Sequence, residues 1–169
     1  MHRKILTLIW VAVFLTIGNK VEASSSSGTA TAVIADPTGA GVVSDLAFGT
    51  LVPAATAGTV IISTTDIRTK TGNLILVNSV YHSALFILSG TVNRTYNITL
   101  PKNKVVTIRN AANASMAVNN FSENAHGGGS HKFDASGHAS FNVGGTLEVG
   151  ANQPPGVYTG TFIVDIKYN

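Results

Sequence analysis

Beyond Ala23, apolar residues recur at alternate positions in short runs, and no stretch carries them at helical spacing. The C-terminus shows this most clearly. From Gly156 to Asn169, Tyr158, Phe162, Val164, Ile166 and Tyr168 fall on one side, while Thr159, Thr161, Asp165 and Lys167 fall on the other. From Thr159 onward, Ile163 is the one apolar residue on the second side. Successive side chains leave opposite faces of a strand, so a period of two predicts a long terminal strand with one face on a core and one in water. Gly160, on the first side, marks a bulge or the close approach of another backbone.

The same alternation predicts strands at Thr29 to Ala35, Val42 to Val52, Gly58 to Ser63, Asn73 to Val77 and Ala84 to Gly90. Further strands are expected at Arg94 to Leu100, Val105 to Arg109, Ser115 to Val118, His131 to Asp134, Ala139 to Val149 and Val157 to Tyr168. Asp36-Pro37-Thr38-Gly39 and Gln153-Pro154-Pro155-Gly156 break the runs, each joining a fixed proline φ to a permissive glycine. Pro101 stops the strand before it, and Asn119 to Ser130, centred on Gly127-Gly128-Gly129, reads as the longest polar loop. The expected fold class is all-β, an antiparallel β-sandwich or barrel.

Residues 1–23 are read as a signal peptide and left out of the fold. His2, Arg3 and Lys4 form a basic start, Ile5 to Ile17 is apolar apart from Thr7 and Thr16, and Val21-Glu22-Ala23 places small residues at a cleavage site between Ala23 and Ser24. The apolar run is shorter than the roughly 20 residues of a membrane-spanning helix. A retained amphipathic anchor is the alternative, and export to the periplasm and then the cell surface is the expectation. No later stretch is long and apolar enough to span a membrane as a helix, so no membrane partner is expected after cleavage.

Charge and cysteine usage narrow the function classes. The leader holds three of the eleven basic side chains and one of the eight acidic ones, leaving eight and seven scattered over the remainder. Nucleic-acid binding, which needs clustered Lys and Arg, is not expected. With no cysteine in the chain, stability has to come from burial, sheet hydrogen bonding or a partner.

Two family resemblances rest on particular residues. Thr29-Ala30-Thr31-Ala32-Val33-Ile34-Ala35, Asp45-Leu46-Ala47-Phe48-Gly49 and Thr95-Tyr96-Asn97-Ile98-Thr99-Leu100-Pro101 resemble motifs of a bacterial secreted family known as a domain of unknown function, DUF4402. So does Val143 to Gln153 running into Gly156-Val157-Tyr158-Thr159-Gly160-Thr161-Phe162. The C-terminus also resembles that of chaperone–usher fimbrial subunits, which carry a glycine fourteen residues from the end and a penultimate tyrosine; Gly156 and Tyr168 stand there. The chain lacks the cysteine pair of the best-known fimbrial subunits.

The fimbrial resemblance implies an immunoglobulin-like, pilin-like sandwich in 37–169 whose C-terminal strand, through Gly156, Tyr158, Phe162, Val164, Ile166 and Tyr168, pairs first with a periplasmic assembly chaperone and later with a neighbouring subunit. It also implies an usher and other copies of the chain or related subunits as partners. Segment 24–36 is then an N-terminal extension or first strand. In it, Ala30, Ala32 and Ile34 share one face and Thr29, Thr31 and Val33 the other, so it reads either as a strand donated to a neighbour or as the first strand of its own sheet.

Chemistry-bearing motifs are few. His126, His131 and His138 lie in one glycine-rich region with Asp134, which raises a metal site or a catalytic dyad, but their spacing matches no compact ligand motif and they read as solvated loop residues. No nucleophile elbow, metalloprotease helix or phosphate-binding loop is present, and no cysteine nucleophile exists. Catalysis, metal and cofactor are therefore not expected. Asn93, Asn97, Asn113 and Asn120 begin glycosylation sequons and are read as turn and strand residues. The functional expectation is a structural or adhesive cell-surface protein, a fimbria-like subunit assembling by strand donation. The alternative is a self-contained secreted sandwich that binds a glycan or another adhesive ligand.

Overall fold

A computed structural model describes residues 39–101, 105–125 and 131–169. The predicted strand Thr29 to Ala35, the Ala23–Ser24 cleavage site and His126 lie outside these residues. Among the described residues the chain is all-β with antiparallel pairing throughout. Twelve strands follow in order: β1 Gly39–Ser44, β2 Leu51–Val52, β3 Gly58–Ile62, β4 Arg68–Lys70, β5 Ile75–Leu76, β6 Ala84–Ser89, β7 Thr95–Thr99, β8 Val106–Arg109, β9 Ser115–Glu123, β10 His131–Lys132, β11 His138–Val149 and β12 Asp165–Tyr168.

The organising element is β11, whose inward residues Phe141, Val143, Leu147 and Val149 are almost fully buried. Val143 pairs with both Ala84 and Glu123, and Leu147 with both Val60 and Val118. One edge of β11 therefore carries β6 and then β3, and the other edge carries β9. Beyond these lie β1 on β6, β4 on β3 and β8 on β9, which completes a seven-stranded sheet. Gly144 sits where β6 gives way to β3, and the Ile62 carbonyl lies so close that a β-carbon at this position would approach it to 2.4 Å.

A second sheet runs β10-β7-β12. Tyr96 of β7 packs against Phe133 at 4.8 Å, and Phe133 stacks on Tyr168 of β12 at 6.0 Å. Leu100, Tyr96 and Phe133 share one apolar cluster with Leu88, Phe141 and Val143, so the two sheets pack on a common core. A short ribbon, β2 on β5, stands apart from both.

Several predicted boundaries shift for local reasons. The expected strand Val42 to Val52 is two strands, separated where Gly49 takes a left-handed φ of 72°. Within Asn73 to Val77 only β5 forms, β10 is shorter than predicted, and β4 was not predicted at all. The segment Asn119 to Glu123, expected as loop, continues β9. Asn120 adopts a φ of 50° where the pairing with β11 slips register between Gly144 and Thr146, and this bulge returns Phe121 to the core.

The C-terminal segment departs most from expectation. Its alternation holds: Tyr158, Phe162, Val164, Ile166 and Tyr168 are half-buried, and Thr159, Thr161, Ile163, Asp165 and Lys167 are exposed. It is not one long strand, however. Thr159 exchanges two main-chain hydrogen bonds with Arg109 of β8, at 2.8 and 3.0 Å, and ladder pairing resumes only in β12, against β7. The segment thus leaves the seven-stranded sheet at its β8 edge and joins the other sheet. Gly160 permits this, since a β-carbon there would lie 2.8 Å from both the Ile108 side chain and the Thr107 carbonyl.

Candidate functional site: an open seam between two edge strands

β1 pairs only with β6, and β12 only with β7, so each has an edge without a partner strand among the described residues. In β12, Asp165, Lys167 and Asn169 direct their main-chain groups at Thr99, Asn97 and Thr95. Antiparallel hydrogen bonding alternates, so the amides and carbonyls of Ile166 and Tyr168 point away from the sheet. The two edges meet at one end, where the Tyr168 hydroxyl donates to the Gly39 carbonyl at 3.2 Å. Burial of the Tyr168 phenol raises its pKa above the ordinary tyrosine value.

The inner side of β1 is uncovered along this seam. Ala40 pairs with Leu88, which is fully buried, and Val42 with Phe86, whose ring stacks on Phe141 at 5.1 Å. Residues paired across a ladder point to the same face, so Ala40 and Val42 face the core side. Yet both are exposed, Val42 to 56%. Opposite them, Phe162 packs edge-on to Phe86 at 6.3 Å and stacks on Phe121 at 5.1 Å, and Phe162, Val164 and Ile166 are each only half-buried. Leu88 and Val143 next to them have no exposed surface, so the missing cover is confined to the strip between β1 and the C-terminal segment.

Of the C-terminal residues singled out from the sequence, Phe162, Val164, Ile166 and Tyr168 line this strip. Gly156 and Tyr158 do not. Gly156 has a φ of 145° and packs against Asn110, whose side chain donates to the Pro155 carbonyl at 3.2 Å and accepts the Ala114 amide at 2.8 Å. Tyr158 donates to the Pro154 carbonyl at 2.6 Å and accepts from Gln153 at 2.9 Å. Both residues hold the turn that starts the crossing. Ala30, Ala32 and Ile34 lie outside the described residues. Val42, the residue that exposes the seam, was not singled out from the sequence; its signal was Ala40, too small to cover the strip beside it.

The histidines do not gather. His131 lies 3.6 Å from Glu123 and against the Tyr96 ring at 5.4 Å, whereas His138 is exposed at the start of β11. Asp134 accepts the amides of His138 and Ser136, both at 2.8 Å, and these hold its carboxyl below the usual carboxylate range. Among the described residues no three His, Asp or Glu side chains group as metal ligands. Where β10 peels away from β11, Lys132, Asp134, His138 and Ser140 line an open cavity of about 520 Å³.

One further polar cluster brings together serine, histidine and aspartate. Asp66 accepts both the amide and the hydroxyl of Ser83 at 2.7 Å, and these bonds lower its pKa. Ser83 is 1% exposed, its hydroxyl also accepts from Asn142 at 2.9 Å, and His82 Nδ1 approaches the Ser83 carbonyl rather than the hydroxyl. The serine is therefore enclosed, and its hydroxyl is held by Asp66 and Asn142 rather than by His82. The cluster ties the β3–β4 turn to β6 and β11.

Residues 39–168 match the family model described as Domain of unknown function (DUF4402). The chain belongs to this family. No curated protein and no solved structure shows significant similarity to it. The family match covers every described strand, β1 and β12 included, so the seam lies within the family's own domain. Among the described residues no helix is long and apolar enough to cross a membrane.

Proposed function

We propose that this DUF4402 domain is an exported structural or adhesive subunit of the cell surface, an immunoglobulin-like, pilin-like sandwich that assembles into a fimbria-like fibre by strand donation. The observation that carries this reading is Val42, an inward-facing apolar residue left 56% exposed beside an unpaired strand edge. A strand laid along β12 would meet the free main-chain groups of Ile166 and Tyr168 and would cover Val42, Phe162 and Val164 in one step. An open edge of this kind invites pairing with another chain, and head-to-tail filling of such edges gives fibres. The donor is Thr29 to Ala35 of a neighbouring copy or related subunit, presenting Ala30, Ala32 and Ile34. During export an assembly chaperone occupies the same edge before an usher passes the subunit on.

Val42→Lys tests this. The side chain is already largely in water, so the isolated chain keeps its fold with a melting temperature within a few degrees of wild type. Association is lost, because a donated strand would bury the ammonium group in an apolar strip, at a cost of several kcal/mol. Wild-type assembly by the variant, followed by light scattering and negative-stain microscopy, refutes the reading. A self-contained binding module is the second reading, and the cavity at Lys132, Asp134, His138 and Ser140 is the feature that favours it. Glycan binding that is lost on Asp134→Ala, by a chain that stays monomeric, would replace the first reading with the second.

A further inference from the structure

The cavity where β10 peels away from β11 has one wall set by a tight turn and a floor set by sheet register. In the turn, the Asp134 amide donates to the His138 carbonyl at 2.9 Å, the Gly137 amide donates to the Asp134 carbonyl at 3.1 Å, and Gly137 takes a φ of 74°. The Gly90 amide donates to the Gly137 carbonyl at 2.9 Å, which anchors the turn to the end of β6. Asp134 is thereby held in place although its side chain is exposed. The amides of Ser136 and His138 both reach its Oδ1, which leaves Oδ2 to accept from a ligand. Lys132 and Asp134 alternate with the buried His131 and Phe133, so they share the outward side of this segment. Among the described residues no ion pair or side-chain hydrogen bond holds the Lys132 ammonium group. On the floor, Ser140 pairs with Ile87 and Ile87 with Gly41, so these three share the outward side of the large sheet. Ile87 is 45% exposed although strands flank it on both sides, because Ser140 is small and a β-carbon at Gly41 would meet nothing within 4 Å.

We propose that this cavity binds an acidic sugar, a hexuronate unit of a polysaccharide, with its carboxylate on Lys132 and its ring hydroxyls on Asp134. The inference rests on the binding-module reading above, that the cavity takes a glycan, and adds the class of glycan. A pyranose ring carries C–H groups on its face and hydroxyls around its rim. Ile87 supplies apolar surface for the face, and Asp134 Oδ2 and the Ser140 hydroxyl supply acceptors for the rim. His138, exposed beside them, adds a ring nitrogen. Other ligand classes leave part of this set unused. A neutral sugar engages Asp134 and Ile87 but gives Lys132 no charged partner. An inorganic anion engages Lys132 but is repelled by the Asp134 carboxylate. A free amino acid meets both charges, yet it gains little from them where both groups are exposed to water, and it makes no use of the apolar floor. The volume of about 520 Å³ lies within the roughly 300–1,000 Å³ of small-ligand sites. Its open side suits a unit that continues into a chain at either end.

Calorimetric titration of the exported chain with tetragalacturonate tests this, with the methyl ester of the same oligosaccharide as its uncharged counterpart. The acid should bind at least tenfold more tightly than the ester, the gain expected of a charge-assisted contact. Lys132→Met should remove that difference by weakening the acid at least tenfold while leaving the ester unchanged. Asp134→Asn keeps an oxygen for the Ser136 and His138 amides but puts an N–H donor in place of Oδ2, and should weaken the ester at least tenfold. Lys132 and Asp134 are both exposed, so each variant should melt within a few degrees of wild type. Should Asp134→Asn disturb the turn, Lys132→Met still decides the outcome, since it touches no hydrogen bond of the fold. Equal binding of acid and ester, both lost on Asp134→Asn, would overturn the acidic-sugar inference and leave glycan binding at this cavity standing. No binding of either, or binding that neither variant alters, would overturn the inference and the glycan reading of the cavity together. Displacement of the acid by phosphate or by alanine at the same concentration would show a site for charge alone and would overturn the inference as well.

Discussion

Phe162→Ala measures how much of the fold depends on the half-covered strip. The ring stacks on Phe121 at 5.1 Å and meets Phe86 edge-on at 6.3 Å, and Phe86 in turn stacks on Phe141. Truncating a fully buried phenylalanine costs about 3–5 kcal/mol. Phe162 is half-buried, so roughly half of that transfer and cavity cost applies, while the two aromatic pairs keep the figure from falling further; about 2 kcal/mol is expected. In a domain of this size each kcal/mol lowers the melting temperature by about 3–4 °C, so the variant should melt about 6–8 °C lower. The control is its neighbour Ile163→Ala. Ile163 is an apolar exception on the polar face of the segment, yet it is 69% exposed, and its loss should stay within about 0.5 kcal/mol. Both are read by thermal and urea unfolding at low protein concentration, where the isolated chain is observed. Equal costs, or a larger cost at Ile163, would refute the two-sided reading of the C-terminal segment and the seam built on it.

Other consequences are checked by similar means. Gly144→Ala places a β-carbon 2.4 Å from the Ile62 carbonyl and should cost about 3 kcal/mol or more, whereas Gly41→Ala, with nothing within 4 Å, should be neutral within about 0.5 kcal/mol in urea unfolding. Asp66 titrates lower in the folded chain than in the unfolded one, so its stabilisation is present above about pH 3.9 and is lost as the pH falls through its folded value. Asp66→Asn should therefore lower the melting temperature at pH 7 and flatten its acid limb, and a variant with an unchanged acid limb would exclude this carboxylate as the cause.

Alternation was legible wherever side chains meet a core, because burial selects faces irrespective of which strand lies alongside. That is why the C-terminal faces were read correctly from Tyr158 to Tyr168 although most of the segment is not in a ladder. Asparagine was harder to read. Asn93, Asn113 and Asn120 all adopt positive φ, two of them in turns and the third as the bulge that lets β9 continue, and the residue type is the same in either role. β4, three residues long with only Arg68 half-buried, carries too little apolar pattern to mark a strand.

The seam was legible in half only. Main-chain pairing leaves no trace in side-chain pattern, so nothing in Gly156 to Asn169 could show that the edge beyond Ile166 and Tyr168 lacks a partner. Val42 reads as an ordinary strand valine until its ladder partner Phe86 shows which way it faces. Exposure on the inward side of a strand is a contradiction within one chain, since burial is what fixes that face in the first place. The strand donation proposed above would resolve it. Of the run Gly39-Ala40-Gly41 only Ala40 shares the inward face of Val42, and its single methyl group leaves the strip beside Phe162 uncovered.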